Sequence, residues 1–567
     1  MTRLTLSLPR LGEGQTTSER LSAWLLIGAA LLLCVFLMVP LGVLLMGSLV
    51  DETGALSLVR FAEFAATPGM GRAVWNTLWV ALVVTVITVP MAFLYAYAIQ
   101  RACLPLRGVW RILGLSALLG PSLVAAISFI QWFGTQGVLK SWLGDNSVYG
   151  PIGIIISTVY ASFPHALMIL VVALATADAR LFEAAEALSA SRWRKFVTVT
   201  LPSARYGLIS AALVVFSYSV SEFGIPKVIG GNFPVLAVEV YVQVVGMHNF
   251  GRGAVVALLL LLPVLVAFIV DWRIQRKQQA SLTARAVPYV PRADWRRDVP
   301  LLAYCVLVSM VMLGVLGMAA YTSLVKFWPY NLELSFNHYR YGLAEAGVLD
   351  AYLNSLKIAG LTALVGTPFI FMVAYLLEKN RSGSAWLRPL VQGAAALPMG
   401  VPGLVLGIGY ILFFNHPSNP LNGLYHTLAI MVIANVVHYY TSCHLTALTS
   451  LKSIDREFEA VSASLKVSQF VTLWRVTLPV CLPAVLEIAR YLFINAMTTV
   501  SALVFLYSPD TLPAAVSILN LDEAGELGPA AAMATLIVIT CALVSLLYSV
   551  LTHFLFRRQQ AWRNPTR

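Results

Sequence analysis

Chemistry in this chain would have to reside in the few polar groups set among apolar residues, because an ionisable side chain inside a membrane segment is costly and is kept for a reason. Ser221-Glu222 closes one apolar run, and Thr498-Thr499, preceded by Asn495, takes the matching place in a later one. A carboxylate, an amide and hydroxyls at one depth suit the lining of a path for a polar solute; the plain alternative is a helix end meeting water. Glu487 and Arg490, three residues apart, suit a structural ion pair. His438, Tyr439, Tyr440, Ser442 and His444 crowd one stretch, but two histidines six apart do not share a helical face, so no metal site is expected there. The cysteines (Cys34, Cys103, Cys305, Cys443, Cys481, Cys541) are scattered without CxxC spacing, and neither disulfides nor metal binding is expected of them. No Ser/His/Asp constellation falls at a shared depth, and no G-x-x-x-x-G-K-[ST] phosphate loop occurs. The chain is therefore not expected to be an enzyme or to hold a cofactor.

The most organised polar stretches lie between apolar runs. Residues 181–202, LFEAAEALSASRWRKFVTVTLP, carry helix formers from Glu183 to Leu188, then Ser189 and Ser191, which can break or recap a helix, then Val197, Val199 and Leu201 before Pro202. A helix, a bend and a second short segment follow, able to present Glu183 and an alanine-lined face to a groove. A second version, FEAVSASLKVSQFVTLWRVTLP, occupies residues 458–479. For one copy alone, a surface helix held on headgroups by Arg192, Arg194 and Lys195 would serve equally well.

The elements that must position these groups are membrane helices. The 567 residues are 59% hydrophobic and 11% charged, against about a quarter charged in an ordinary globular domain. The net charge of +12 resides in short loops rather than in a stripe with interleaved aromatics, so nucleic acid is not an expected partner and membrane lipid is. Runs of about 20 apolar residues fall near 24–49, 74–99, 112–133, 152–174, 206–224 and 254–270, and again near 301–324, 351–377, 390–414, 424–448, 484–506 and 530–554. The first is too long for a signal-peptide core and reads as a retained anchor. Internal prolines do not rule helices out, because neighbours can satisfy freed backbone groups. Lys and Arg concentrate on one side of this arrangement, which puts both termini and both polar loops in the cytoplasm.

The halves also correspond. Asn76-Thr77-Leu78 matches Asn354-Ser355-Leu356, Pro90 matches Pro368, Tyr97 matches Tyr375, and Pro121-Ser122-Leu123-Val124 matches Pro402-Gly403-Leu404-Val405. The expected fold is an all-α polytopic membrane protein with twelve transmembrane helices in two parallel six-helix repeats. Its parts are residues 1–275, a cytoplasmic linker at 276–300 read as a solvated tether whose charges meet headgroups, and residues 301–567.

Each polar loop resembles the coupling loop of ABC-importer permeases, which reads EAA, three residues, Gly, nine residues, I-x-L-P. Glu183-Ala184-Ala185 is followed at that spacing by Ser189 in the glycine place, Val199, Leu201 and Pro202. In the second copy Val476, Leu478 and Pro479 fit, Lys466 replaces the glycine, Ala460 stands in the glutamate place, and Glu459 comes one residue early. The resemblance implies a type I importer permease of the bacterial inner membrane. Two separate ATP-binding subunits would grip the loops, and a periplasmic substrate-binding protein would dock at the other face. Candidate surfaces for that protein are residues 227–252 and 508–528, the latter acidic through Asp510, Asp522, Glu523 and Glu526.

SEFGIPKVIGG at 221–231 and NAMTTVSALVFLYSPD at 495–510 resemble fused permeases for 2-aminoethylphosphonate more than those for ferric iron. That resemblance implies a zwitterionic phosphonate passing hydroxyls, an amide and one carboxylate, with ferric iron as the alternative. A self-contained secondary transporter is the rival from another class; it would place ionisable coupling groups near the bilayer midplane, where this chain has almost none.

Overall fold

The computed structural model describes residues 17–50, 54–175, 178–281, 289–342, 347–379, 387–455, 457–465 and 467–560. These are overwhelmingly helical, as lipid requires of a chain whose backbone polar groups must be satisfied within the segment. Among the described residues nine helices are long and apolar enough to cross a membrane, or eleven if two bent pairs each count as one span. The short exception is a hairpin, Val325–Phe327 paired antiparallel with Asn331–Leu334.

Three of the twelve expected runs are not straight spans. The run near 112–133 is Arg107–Gly114, a single turn at Ser116–Leu119, and then Ser122–Phe133. The run near 390–414 is Leu387–Gly400 followed at 113° by Gly403–Phe414, and the run near 424–448 bends by 54° between Leu428–His438 and Tyr440–Lys452. The first two break at equivalent prolines. A residue preceding proline is pushed out of the helical region; Gly120 and Val401 are extended at φ −123° and −114°, as are Pro121 and Pro402 themselves at ψ 149° and 144°. Each resumed helix has 12 residues, about 18 Å at 1.5 Å per residue, well short of the bilayer core. Near 500–506, where the eleventh run was expected to continue, Leu478–Thr498 has already ended and the chain turns.

Packing explains the matching motifs. Met70–Arg101 lies along Pro151–Ala175 and Leu201–Ser221, and Val348–Lys379 lies along Leu478–Thr498 and Tyr440–Lys452. Asn76 Nδ2 donates to Pro234 O at 2.9 Å and Thr77 Oγ1 accepts from Leu236 N at 2.8 Å. In the second half Asn354 Nδ2 donates to Asp510 O at 2.9 Å and Ser355 Oγ accepts from Ala514 N at 2.8 Å. The Asn-Thr and Asn-Ser pairs thus cap the short helices Leu236–Tyr241 and Ala514–Glu523, whose amide ends would otherwise be buried without partners.

Each half lends its first span to the other. Thr17–Leu49 packs on Gly403–Phe414, where Tyr410 hydroxyl donates to Phe36 O at 2.7 Å and Phe36 stacks on Phe414. Trp295–Leu324 packs on the first half, with Ser128 donating to Val315 O at 2.8 Å and Tyr304 hydroxyl to Met91 O at 2.8 Å. Close helix approach relies on small residues: a Cβ at Gly207 would sit 2.2 Å from Ala173 Cβ.

Candidate functional site

Both polar loops fold alike. In the first, Asp178 caps Ala179–Ala187 by accepting from Arg180 N at 3.1 Å. Ala190 N then reaches back to Ala185 O at 3.0 Å, and Ser189 stands between at φ +51°. This is a Schellman closure, in which the residue after the helix takes the left-handed conformation that glycine adopts without cost; it gives the physical reason for a glycine place in the motif. Ser191 then caps Arg192–Lys195, a five-residue π-turn follows at Phe196–Thr200, and the helix continues as Leu201–Ser221 with Pro202 directly after the wider turn. The second loop runs Glu457–Ser464, a cap by Ser468 on Gln469–Thr472, a π-turn at Leu473–Thr477, and Leu478–Thr498 with Pro479 in its first turn. Val467 N donates to Ser462 O at 2.9 Å in the same return. Lys466 lies outside the described residues. Ser189→Gly is expected to stabilise the first loop by roughly 0.5–1 kcal/mol, the relieved left-handed strain less the freedom glycine adds to the unfolded chain, read as slower hydrogen exchange at Ala190.

Glu183 and Ala184 are exposed and Ala185 is buried; Leu201, Pro202, Ala460 and Pro479 are exposed and Leu478 is half-buried. Large apolar side chains stand out beside them: Leu188 is 82% exposed and Trp193 73% in the first loop, Leu465 69% and Trp474 65% in the second. Such a patch in a polar loop marks a surface covered by another protein or by the membrane interface. Glu459 differs from Glu183. It is paired with Lys379 Nζ at 2.5 Å, and Lys379 also donates to Ile454 O at 3.3 Å. In the first loop the corresponding cation, Arg101, donates to Leu174 O at 2.9 Å and lies 4.6 Å over the ring of Phe182. A cation at the end of the neighbouring span therefore anchors each loop, through an ion pair in one half and a ring face in the other. Glu459 belongs to the anchor, a role its spacing alone did not reveal.

Between the halves lies a cavity of about 350 Å³. All five residues singled out for a path, Ser221, Glu222, Asn495, Thr498 and Thr499, line it, together with Ser122, His165, Tyr218, Asp271, His438, Tyr439 and Tyr491. Along Leu201–Ser221 the lining runs from Leu213 to Ser221, a rise of about 12 Å, and Glu222 follows directly. Glu222 Oε1 accepts from Ser122 Oγ at 2.7 Å and from Ile225 N at 3.3 Å, so the carboxylate also holds the turn that ends its helix. Asn495 and Thr498 donate back to Tyr491 O and Ile494 O. His165 lies tilted against Tyr218 at 5.1 Å, while His438 meets Tyr439 at 4.6 Å and Tyr439 meets Tyr491 at 6.0 Å edge to face. Nδ1 of His438 is buried without a protein hydrogen bond. No lysine or arginine is among the lining residues. The cavity histidines and tyrosines were missed as lining groups; the cluster at 438–444 was the only signal, and the bend at Tyr439 is what turns His438 and Tyr439 inward. Glu487 and Arg490 form the expected ion pair on their own helix.

At the end of the bundle away from the loops, the two segments named as docking surfaces meet. Lys227 pairs with Glu523 at 2.7 Å and lies over the ring of Tyr241, which in turn contacts Phe223 and Phe505. Burial pushes the neighbouring Asp522 carboxyl up to about 6, with Glu523 adding to the rise and Lys227 opposing it. The folded value lies above the unfolded one of about 3.8–3.9. The folded state therefore holds the proton more tightly, and this group costs stability progressively as pH rises from about 4 to about 6. Asp522→Asn is expected to raise the thermal midpoint at about pH 7.5 and to converge with the parent protein near pH 4, as a melting series across that window would record.

The profile of the family described as binding-protein-dependent transport system inner membrane component matches residues 117–279 and again 366–558. The ferric transport system permease protein FbpB of Actinobacillus pleuropneumoniae is 28% identical over 497 residues, covering 84% of this chain and 70% of its own length. The probable ABC transporter permease protein y4fN of Sinorhizobium fredii is 22% identical over 545 residues, covering 93% and 95%. The sulfate transport system permease protein CysW of Escherichia coli is 24% identical over 270 residues, covering 46% of this chain and 91% of its own length.

Proposed function

The chain belongs to the family of binding-protein-dependent transport system inner membrane components, and from that premise we propose how its parts divide the work of import and what it carries. It is a non-catalytic, multi-pass permease subunit of an ABC importer with two permease domains fused in one chain, and it works with ATPase and substrate-binding partners. In our reading the domains are parallel repeats, residues 1–275 and 301–567, with both termini and both polar loops in the cytoplasm. Two ATP-binding subunits grip the loops, one through Glu183, Ala184, Ala185, Ser189, Leu201 and Pro202, the other through Ala460, Lys466, Leu478 and Pro479 with the apolar residues beside them. ATP binding itself resides on those subunits. Closing of the pair would be passed through the loops as rigid-body movement of one half against the other, and the substrate-binding protein would deliver cargo above Lys227 and Glu523.

The observation that carries this reading is that the five polar residues picked for a path converge on one cavity between the halves, directly along the helices that the two loops begin. The cargo that fits best is 2-aminoethylphosphonate or a related zwitterion: Glu222 would meet the amine, while hydroxyls, Asn495 and the histidines would meet the phosphonate. Ferric iron is the second reading, favoured by the names of the FbpB relatives. Against tight holding of a metal, the described residues contain no group of three or more His, Cys, Asp or Glu placed to hold one. The test is a ligand screen of the partner binding protein followed by uptake in vesicles carrying the whole complex. Phosphonate binding and ATP-dependent phosphonate uptake support the first reading; tight ferric binding with no phosphonate binding overturns it in favour of the second.

A further inference from the structure

The connection between the halves does more than span a gap. Its described end, residues 289–298, lies against the first polar loop rather than free of it. Arg101, only 3% exposed, lies against a pair of rings that touch each other, 4.6 Å from Phe182 of the loop and 4.6 Å from Tyr289 of the connection. The two rings are themselves 4.6 Å apart. Pro291 O accepts from Cys103 Sγ at 3.2 Å. Arg192 of the loop pairs with Asp294 at 2.7 Å, and Glu186 of the loop with Arg292 at 3.6 Å. Asp294 is at the same time the N-cap of Trp295–Leu324, accepting from Arg296 N at 3.2 Å, and Arg297 ties the segment's own end through Arg292 O and Asp298.

We propose that residues 289–298 form a strap that fastens the first coupling loop to the first helix of the second half, so that movement of that loop is passed to both halves at once. The three-way cluster of Arg101, Phe182 and Tyr289 supplies a fixed contact at one end, since each of the three touches the other two and none can slide without losing both contacts. The Arg192–Asp294 pair supplies the other end, and because Asp294 caps the helix, a pull on Arg192 acts on the helix axis rather than on a loose side chain. The second coupling loop is fastened differently: Lys379 and Glu459 both belong to the second half, so among the described residues this anchor ties that loop to its own half. The two loops are thereby unequal by construction, the first acting across the domain boundary and the second within it.

The mechanical role rests on the reading that an ATPase grips these loops, so the test separates the two. Hydrogen exchange on the full chain in lipid nanodiscs, with no ATPase present, reads the strap alone. Tyr289→Ala removes the connection's ring from the cluster and is expected to speed exchange across the first loop, including Arg194 and Ala190, while leaving Val471 and the rest of the second loop unchanged. Tyr289→Phe keeps the ring and is expected to match the parent. Asp294→Asn keeps the helix cap but loses the charge, and is expected to loosen the first loop further when added to Tyr289→Ala. In vesicles carrying the whole complex, Tyr289→Ala is then expected to lower substrate moved per ATP hydrolysed severalfold, with Tyr289→Phe again at the parent value. Unchanged exchange in the first loop, equal loosening of both loops, or a fall in uptake merely proportional to the fall in hydrolysis overturns the proposal. Failure of the docking reading shows elsewhere, as ATPase retention that ignores Glu183→Arg.

Discussion

Glu183→Arg is expected to leave the chain inserted and its cavity intact while cutting ATP-driven uptake by about tenfold or more, what the loss of roughly 1.4 kcal/mol at a docking contact costs. Glu183 lies on the exposed side of Ala179–Ala187, and buried Phe182 and Ala185 pack the opposite side against the bundle. Reversal of its charge therefore changes what a partner meets without disturbing what holds the loop. The neighbours on the exposed side are Leu188 and Trp193, and a charged rim around an apolar centre sets partner choice more than it sets fold. Two measurements separate docking from folding: co-purification of the ATPase subunits, expected to fall, and the melting temperature of the isolated chain, expected to hold. Normal uptake by the variant in vesicles with its ATPase would sink the coupling role. The matching change at Glu459 is expected to behave differently. Glu459→Arg sets two cations against each other at Lys379, whose side chain is 5% exposed, and so should loosen the second loop itself and register in hydrogen exchange before it registers in transport.

That contrast shows where the sequence was legible. Apolar run length gave away the straight spans, because lipid leaves a chain few alternatives to a helix of that length. It misjudged the runs containing Pro121 and Pro402. The same tolerance that lets Pro90 and Pro368 sit inside intact helices made those two look harmless, yet each follows a residue driven extended and the helix stops. The motif spacing located Ser189 in the glycine place, and the structure supplies the cause, a left-handed residue closing the helix. The spacing could not tell that Glu459 faces Lys379, since that depends on where the end of a neighbouring span arrives. The exchange of first spans between halves left no mark in the sequence either: Phe36 meets Tyr410 and Ser128 meets Val315 through backbone carbonyls, which every residue has. The strap was misread for a related reason. Arg292, Arg296 and Arg297 look like charges for headgroups, and only the placement of Tyr289 on Arg101 turns the segment toward the loop.

Glu222→Gln is the sharper probe of the cavity, and uptake is expected to fall by about 10–100-fold, the range that follows from losing a charged hydrogen bond of roughly 1.5–3 kcal/mol. The substitution is chosen because glutamine can keep both contacts that the carboxylate makes inside the protein, accepting from Ser122 Oγ and from Ile225 N through its own carbonyl oxygen. The turn that ends Leu201–Ser221 should survive, and only the charge presented to the cavity is lost. Glu222→Leu removes both, so it is expected to lower the melting temperature as well as uptake. Basal ATP hydrolysis by the assembled complex is expected to be unchanged in the glutamine variant, since the coupling loop at the other end of the same helix is untouched. If Glu222→Gln transports normally while Glu222→Leu does not, then Glu222 serves the turn alone and the charge that the path needs lies elsewhere. Asp271 is the other carboxylate of the lining. Its Oδ2 is engaged by Gln275 at 2.7 Å, with the Ser210 hydroxyl also at the carboxyl, and in that event Asp271→Asn becomes the variant in which uptake should fall.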